Sequence, residues 1–237
     1  PTSCPDERGP GAAVRGATYW DPLSVFGYLS AVTERIRFTT FVLVLGYHHP
    51  LEIVKRYGTL DRVSGGRLVL GVGVGSLEEE FALIGAQFAG RGDRGDDAIR
   101  ALKASFGRSV PEYHGSHYDY AGFVVDPVSI QTEMPIWIGG RTARSLRRAV
   151  EVGDGWAPFG LTPTEMADLL ARERRSTPIE IALQPGPLDP AGDPDTTAER
   201  LAELTAMGAT VLEARFVHHS LEHYLEQLHA LRALLPD

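Results

Sequence analysis

The chain has 237 residues, with 23 Lys and Arg against 31 Asp and Glu, for a formal charge of −8. That acidic balance excludes the clustered positive surface that nucleic-acid binding needs, while a 43% hydrophobic content can build a sizeable core. The single cysteine, Cys4, excludes an internal disulfide and thiolate-rich metal centres, and fits a reducing, cytoplasmic compartment. No apolar run reaches the ~18 residues of a membrane span, and the polar start PTSCPDERGPG carries no signal-peptide pattern.

Residues 1–18 mix Gly, Pro, Arg and Asp without apolar period and are expected to form a flexible segment. A helix is predicted from Asp21-Pro22, with Asp21 as cap and Pro22 in the first position. The apolar run 36–44 predicts a buried strand, 50–63 a helix, and 67–74 a second buried strand ending in glycines. Helices follow at 76–86 and 93–106, with Glu78, Glu79 and Glu80 in the first turn of the former. Residues 111–130 read as a hairpin excursion of alternating aromatic and β-branched residues. Strands are then predicted at 135–139, 155–159, 179–183 and 209–216. Helices alternate with them at 142–153, 162–175, 196–208 and 220–235, and 185–194 reads as a loop. About six apolar strands alternating with helices predict a parallel sheet with crossover helices. With no repeat and no linker, residues 19–237 are expected to form one domain.

Three motifs bear on chemistry. Gly71, Gly73 and Gly75 end a strand before a helix, where bare backbone can approach a ligand. The dinucleotide fingerprint G-x-G-x-x-G is missed, because Ser76 stands at its last position. Gly139-Gly140-Arg141-Thr142 joins a strand to a helix and offers an anion free N–H groups, a hydroxyl and a guanidinium. His48 and His49 follow a buried strand, but adjacent residues of a strand point to opposite sides, so they do not form a metal site. The sequence contains neither G-x-S-x-G nor a phosphate-binding P-loop.

In their order and spacing, residues 19–81 and 113–156 resemble the luciferase-like superfamily of flavin and deazaflavin oxidoreductases and monooxygenases. The resemblance implies an α/β TIM (β/α)8-type barrel, incomplete on its N-terminal side because the chain carries about six strands. It is nearest to the branch that uses coenzyme F420, a deazaflavin that carries a hydride. It therefore implies hydride transfer between F420 and a small organic substrate. FMN is the alternative cofactor. An FMN-dependent monooxygenase and a non-catalytic flavin-binding relative are the alternative functions.

By the same resemblance, Thr40 and Phe41 lie behind the cofactor ring, with a cis peptide at Thr40–Phe41 or one bond away. Gly73, Val74, Gly75 and Ser76 would wall the ring pocket, and Gly139, Gly140, Arg141 and Thr142 would hold the cofactor phosphate. Gly155 and Trp156 would line the pocket from the next strand end, and His48 and His49 are catalytic candidates near the ring edge. The family's sugar-phosphate dehydrogenases carry a glutamate where this chain has Ser76, and a lysine-bearing loop where it has APFGLTPTE, which argues against a sugar phosphate as substrate. The expected assembly is a homodimer, with neither a nucleic-acid nor a membrane partner.

Overall fold

The computed structural model describes residues 20–173 and 178–235 of the chain. The expected flexible segment 1–18, with Cys4, lies outside the described residues. Asp21 accepts a hydrogen bond from the Ser24 N–H at 2.9 Å, and Pro22 opens helix α1 (Pro22–Val32). Strands β1 (Phe38–Thr39) and β2 (Leu43–Val44) lead through a 3-10 turn into α2 (Pro50–Ser64), and β3 (Leu68–Gly73) follows. Next come α3 (Glu78–Leu83), α4 (Arg91–Ser105) and an antiparallel pair, β4 (Tyr113–His114) with β5 (Asp119–Tyr120). The alternation resumes with β6 (Ile136–Gly139), α5 (Ala143–Val152), β7 (Gly155–Ala157), α6 (Pro163–Arg172) and β8 (Glu180–Leu183). It closes with β9 (Pro187–Leu188), α7 (Pro194–Ala206), β10 (Val211–Leu212), β11 (Arg215–Phe216) and α8 (Leu221–Leu234).

The main sheet runs β1–β3–β6–β7–β8–β10, and all its pairings are parallel. β2 also pairs with β3, so β1 and β2 are two halves of one interrupted strand. Thr39 lies opposite Val69 and Leu43 opposite Val72, which is four steps on one strand against three on the other. The strand expected at 36–44 therefore carries one extra residue, a bulge at 40–42. The Phe41–Val42 peptide within it is cis, one bond beyond Thr40–Phe41.

Strand side chains alternate between two cores. Leu68, Leu70, Val72, Ile136, Ile138, Trp156, Ile181 and Leu183 pack outward with the helices. Val69, Trp137, Ala157 and Ala182 pack inward with Phe41 and Val211. Because both faces are buried, the strands read as unbroken apolar runs. An inner cluster shared by five strands requires the sheet to curl. The fold is thus an α/β half-barrel, with six strand positions of a (β/α)8 barrel among the described residues. None of the described helices is long and apolar enough to cross a membrane.

Two expectations need correction. The strand expected over 209–216 is split: β10 stays on β8, while β11 pairs in parallel with β9, inside the segment read as a loop. Pro187 opens β9, a position where a missing N–H is tolerated. The hairpin excursion pairs only at 113–114 with 119–120. Past it, Gly122 turns at positive φ, and the buried Asp61 carboxylate accepts the Ile130 and Gln131 N–H groups at 2.8 and 2.9 Å in place of a strand partner.

The hairpin is held by Asp97 of α4. Its carboxylate accepts from the Tyr113 hydroxyl at 2.6 Å and from the N–H groups of His117 and Tyr118 at 2.7 and 3.0 Å. Burial pushes the Asp97 carboxyl up, but these hydrogen bonds outweigh it and hold the group below its ordinary value of 3.8. Its stabilisation is therefore complete above pH 3.8 and is lost as pH falls through the lower folded value. Urea unfolding between pH 6 and 3 should show the wild type losing stability more steeply than Asp97→Asn. At neutral pH, Asp97→Ala should cost about 2–4 kcal/mol, because three donors of the hairpin lose a shared charged acceptor.

Candidate functional site

The bulge shapes the C-terminal ends of the strands. The Thr40 hydroxyl donates to the Gly71 carbonyl at 2.7 Å, and a Cβ on Gly71 would lie 1.8 Å from the Thr40 carbonyl oxygen. The Val42 side chain fills the space beside two further glycines: a Cβ on Gly73 or Gly139 would come within 2.8 or 2.7 Å of it. These glycines make room for the chain's own bulge, and Val42 becomes part of the floor of a cleft.

That cleft, of about 460 Å³, opens at the ends of β2, β3 and β6, within the size range of small-molecule sites. It gathers Gly73, Val74, Gly75, Ser76, Gly139, Gly140, Arg141 and Thr142 into one wall. Val42, Val44 and Phe159 add apolar surface, and Glu80, Arg91, Gly92, Arg144, Ser145 and Arg148 complete the lining.

The anion-suited corner is the start of α5. The Thr142 hydroxyl caps the helix by accepting from the Ser145 N–H, and the Ser145 hydroxyl accepts from the Thr142 N–H, both at 3.2 Å. Gly140 stands at φ +136°, and a Cβ there would meet the Ser145 side chain at 2.7 Å. Bare backbone at a helix start is therefore a requirement of this geometry, and it places N–H groups where the helix dipole favours an anion.

The arginines are not equivalent. Arg144 pairs with Asp93, and Arg148, 5% exposed, pairs with Asp96 and donates to the Gly92 carbonyl at 3.1 Å. Arg91 donates through Nε to the Gly75 carbonyl at 2.9 Å and stacks on Phe88, with its guanidinium carbon 3.8 Å from the ring centroid. Arg141 projects from the α5 start toward the Gly160 turn.

The other residues singled out from sequence lie elsewhere. Thr40 is buried beneath the cleft, and Phe41 faces the barrel interior with Val69 and Trp137. Gly155 packs under Trp137. Trp156 is fully buried on the helix side, where its Nε1 donates to the Ser145 hydroxyl at 3.3 Å. The His49 Nδ1 caps α2 by accepting from the Leu51 N–H at 3.2 Å, with its ring edge-on to Tyr118. His48 pairs with Glu52 at 3.3 Å, and neither histidine lines the cleft. Sequence reasoning missed Val42, Glu80, Arg91 and Phe159. Only Glu80 had a signal, its place one turn past the glycine strand.

Fold and cleft together define a barrel-type protein with a candidate ligand cleft at the C-terminal ends of its strands. The chain belongs to the luciferase-like monooxygenase family, whose sequence pattern matches residues 6–178. It is 38% identical over 147 residues to an uncharacterized protein of Mycobacterium tuberculosis, an alignment covering 62% of this chain and 50% of that protein. The chain thus spans about half the length of the curated relatives it matches. In fold it is similar to the monooxygenase RslO1 from Streptomyces bottropensis, with TM-score 0.75 and 16% identity over 91% of this chain and 82% of that one. It is also similar to the coenzyme F420 dependent tetrahydromethanopterin reductase from Methanopyrus kandleri, with TM-score 0.69 and 16% identity over 89% and 86% of the two chains.

Trp156 should behave as a core residue. Trp156→Ala should cost about 3–5 kcal/mol in chemical denaturation. Trp156→Phe, which keeps most of the volume but loses the Ser145 contact, should cost about 1 kcal/mol.

Proposed function

We propose that this chain forms the cofactor-holding part of a coenzyme F420-dependent oxidoreductase that moves a hydride to or from a small organic substrate. The observation that carries the reading is the joining, in one cleft, of an apolar strip to an anion-suited helix start. The residues fit such a cofactor. Val42, Val44, Val74 and Phe159 suit a flat ring, and the α5 start with Thr142 and Arg141 suits a phosphate. The fold shared with an F420-dependent reductase supports the choice of cofactor.

F420, when bound, supplies the carbon that gives or takes the hydride. The chain's own work is to bind, orient and exclude water. The α5 start and Arg141 would fix the phosphate, and the paired Arg144 and Arg148 hold that helix against α4. Val42, backed by Gly73 and Gly139, offers the ring a firm apolar floor. The same reading takes the protein to be cytoplasmic and homodimeric, the compartment being supported by its single cysteine.

A second reading, an FMN-dependent monooxygenase, is favoured by the likeness to RslO1. Fluorescence titration with F420 and with FMN separates the two, and tighter binding of F420 is expected. Arg141→Ala should weaken binding by about 1–3 kcal/mol. Gly140→Asp should abolish it, since it sets a side chain and a negative charge at the helix start. Unchanged affinity in both variants would move the phosphate site elsewhere, and tighter binding of FMN would favour the second reading.

A further inference from the structure

The carboxylate in the cleft lining stands apart from the anion-suited corner. Glu80, in the first turn of α3, lines the cleft, while its neighbours Glu78 and Glu79 do not. The Tyr47 hydroxyl donates to its Oε2 at 2.6 Å. No cation lies within 4.0 Å of this carboxylate among the described residues, although four arginines line the same cleft. Two of those arginines have aspartate partners, and Arg91 is turned to Gly75 and Phe88.

The position is built rather than incidental. Phe81, beside Glu80, is fully buried, and a Cβ on Gly46 or Gly75 would come within 2.5 or 2.6 Å of its ring. Tyr47 packs edge-on against the same ring, with centroids 4.9 Å apart. So α3, only six residues long, is fixed by Phe81, and Tyr47 sets the orientation of the carboxylate. Burial, then the hydrogen bond to Glu80 and that group's charge, push the Tyr47 phenol above its ordinary value, so it remains a donor. The other carboxylate oxygen, Oε1, takes no hydrogen bond from the described residues.

We propose that Glu80, oriented by Tyr47, selects the substrate at its own end of the cleft, apart from the anion-suited α5 start: that end takes a molecule presenting a hydrogen-bond donor or a positive charge, such as an alcohol or amine, and disfavours a carboxylate. The inference rests on the proposed oxidoreductase reading for what the selected molecule is, and on the cleft alone for the selectivity. A charged acceptor strengthens a hydrogen bond from a donor and repels a like charge.

The test uses three probes of one shape, benzylamine, benzyl alcohol and benzoate, with binding measured by calorimetry in the presence of F420 or of inorganic phosphate, either of which fills the anion-suited corner. Wild type should bind benzylamine about ten-fold or more tightly than benzoate. Glu80→Gln, of the same shape, should bring that ratio below about three-fold, while Glu79→Gln, equally exposed but outside the cleft lining, keeps the wild-type ratio. Tyr47→Phe should give an intermediate ratio. Absorbance titration of the tyrosines should show one phenol ionising at lower pH in Glu80→Gln than in wild type, which reports the hydrogen bond independently of any ligand. A ratio unmoved by Glu80→Gln, or a wild type that prefers benzoate, overturns the proposal. If neither F420 nor FMN binds but the ratio still depends on Glu80, the oxidoreductase reading fails and the selectivity stands. If F420 binds and the ratio ignores Glu80, the selectivity alone fails.

Discussion

Everything at the strand ends depends on how closely the backbone at residues 40–42 approaches its neighbours. A carbonyl facing Gly71 and a valine seated over Gly73 and Gly139 leave no space for a Cβ at any of the three. The bulge can exist only because adjacent strands carry glycine on the barrel-facing side. It then sets the height of the cleft floor at Val42 and the place where β2 resumes its pairing with β3. Loop geometry at α3 and α5 starts from that level.

The supports beneath the site are polar and buried. Trp156 ties the capping serine of α5 to the helix-side core. Asp97 fixes the hairpin whose Tyr118 and Tyr120 lie against His49 at the start of α2. Asp61 on α2 gathers the chain entering β6. Each group replaces a run of regular secondary structure with one carboxylate or hydroxyl that accepts several N–H donors. Such groups are costly to remove, because each takes two or more hydrogen bonds away with it.

The strand and helix order was legible because strands buried on both faces leave unbroken apolar runs. That same property hid the facing of individual residues. Without polar alternation, nothing in DGWAPFG tells that Trp156 points to the helices and Ala157 to the barrel interior. Glycines 71, 73 and 139 were legible as places of close approach, but composition cannot tell a ligand from the protein's own valine. His49 follows the same pattern. Histidine is uncommon as a helix cap, so no local pattern announces its use at the start of α2. Arg91 reaches the cleft from a helix start sixteen positions past Gly75, by a bond to a carbonyl that no local pattern announces.

The pairing of Arg144 with Asp93 and of Arg148 with Asp96 bears on how the cleft would respond to dissolved ions. Those two guanidiniums carry their own permanent counter-charges, fixed by the fold and unaffected by dilution. What an anion meets at the α5 start is mainly backbone dipoles and Arg141, with the acidic surface of the protein beyond. At ~0.1 M salt, charges more than ~10 Å away are largely screened. The affinity for a phosphate-bearing ligand should therefore change little across physiological ionic strength, despite the number of arginines around the cleft. On the proposed reading this corner would work by shape and oriented N–H groups, and little of its hold on a phosphate would be given up to dissolved salt.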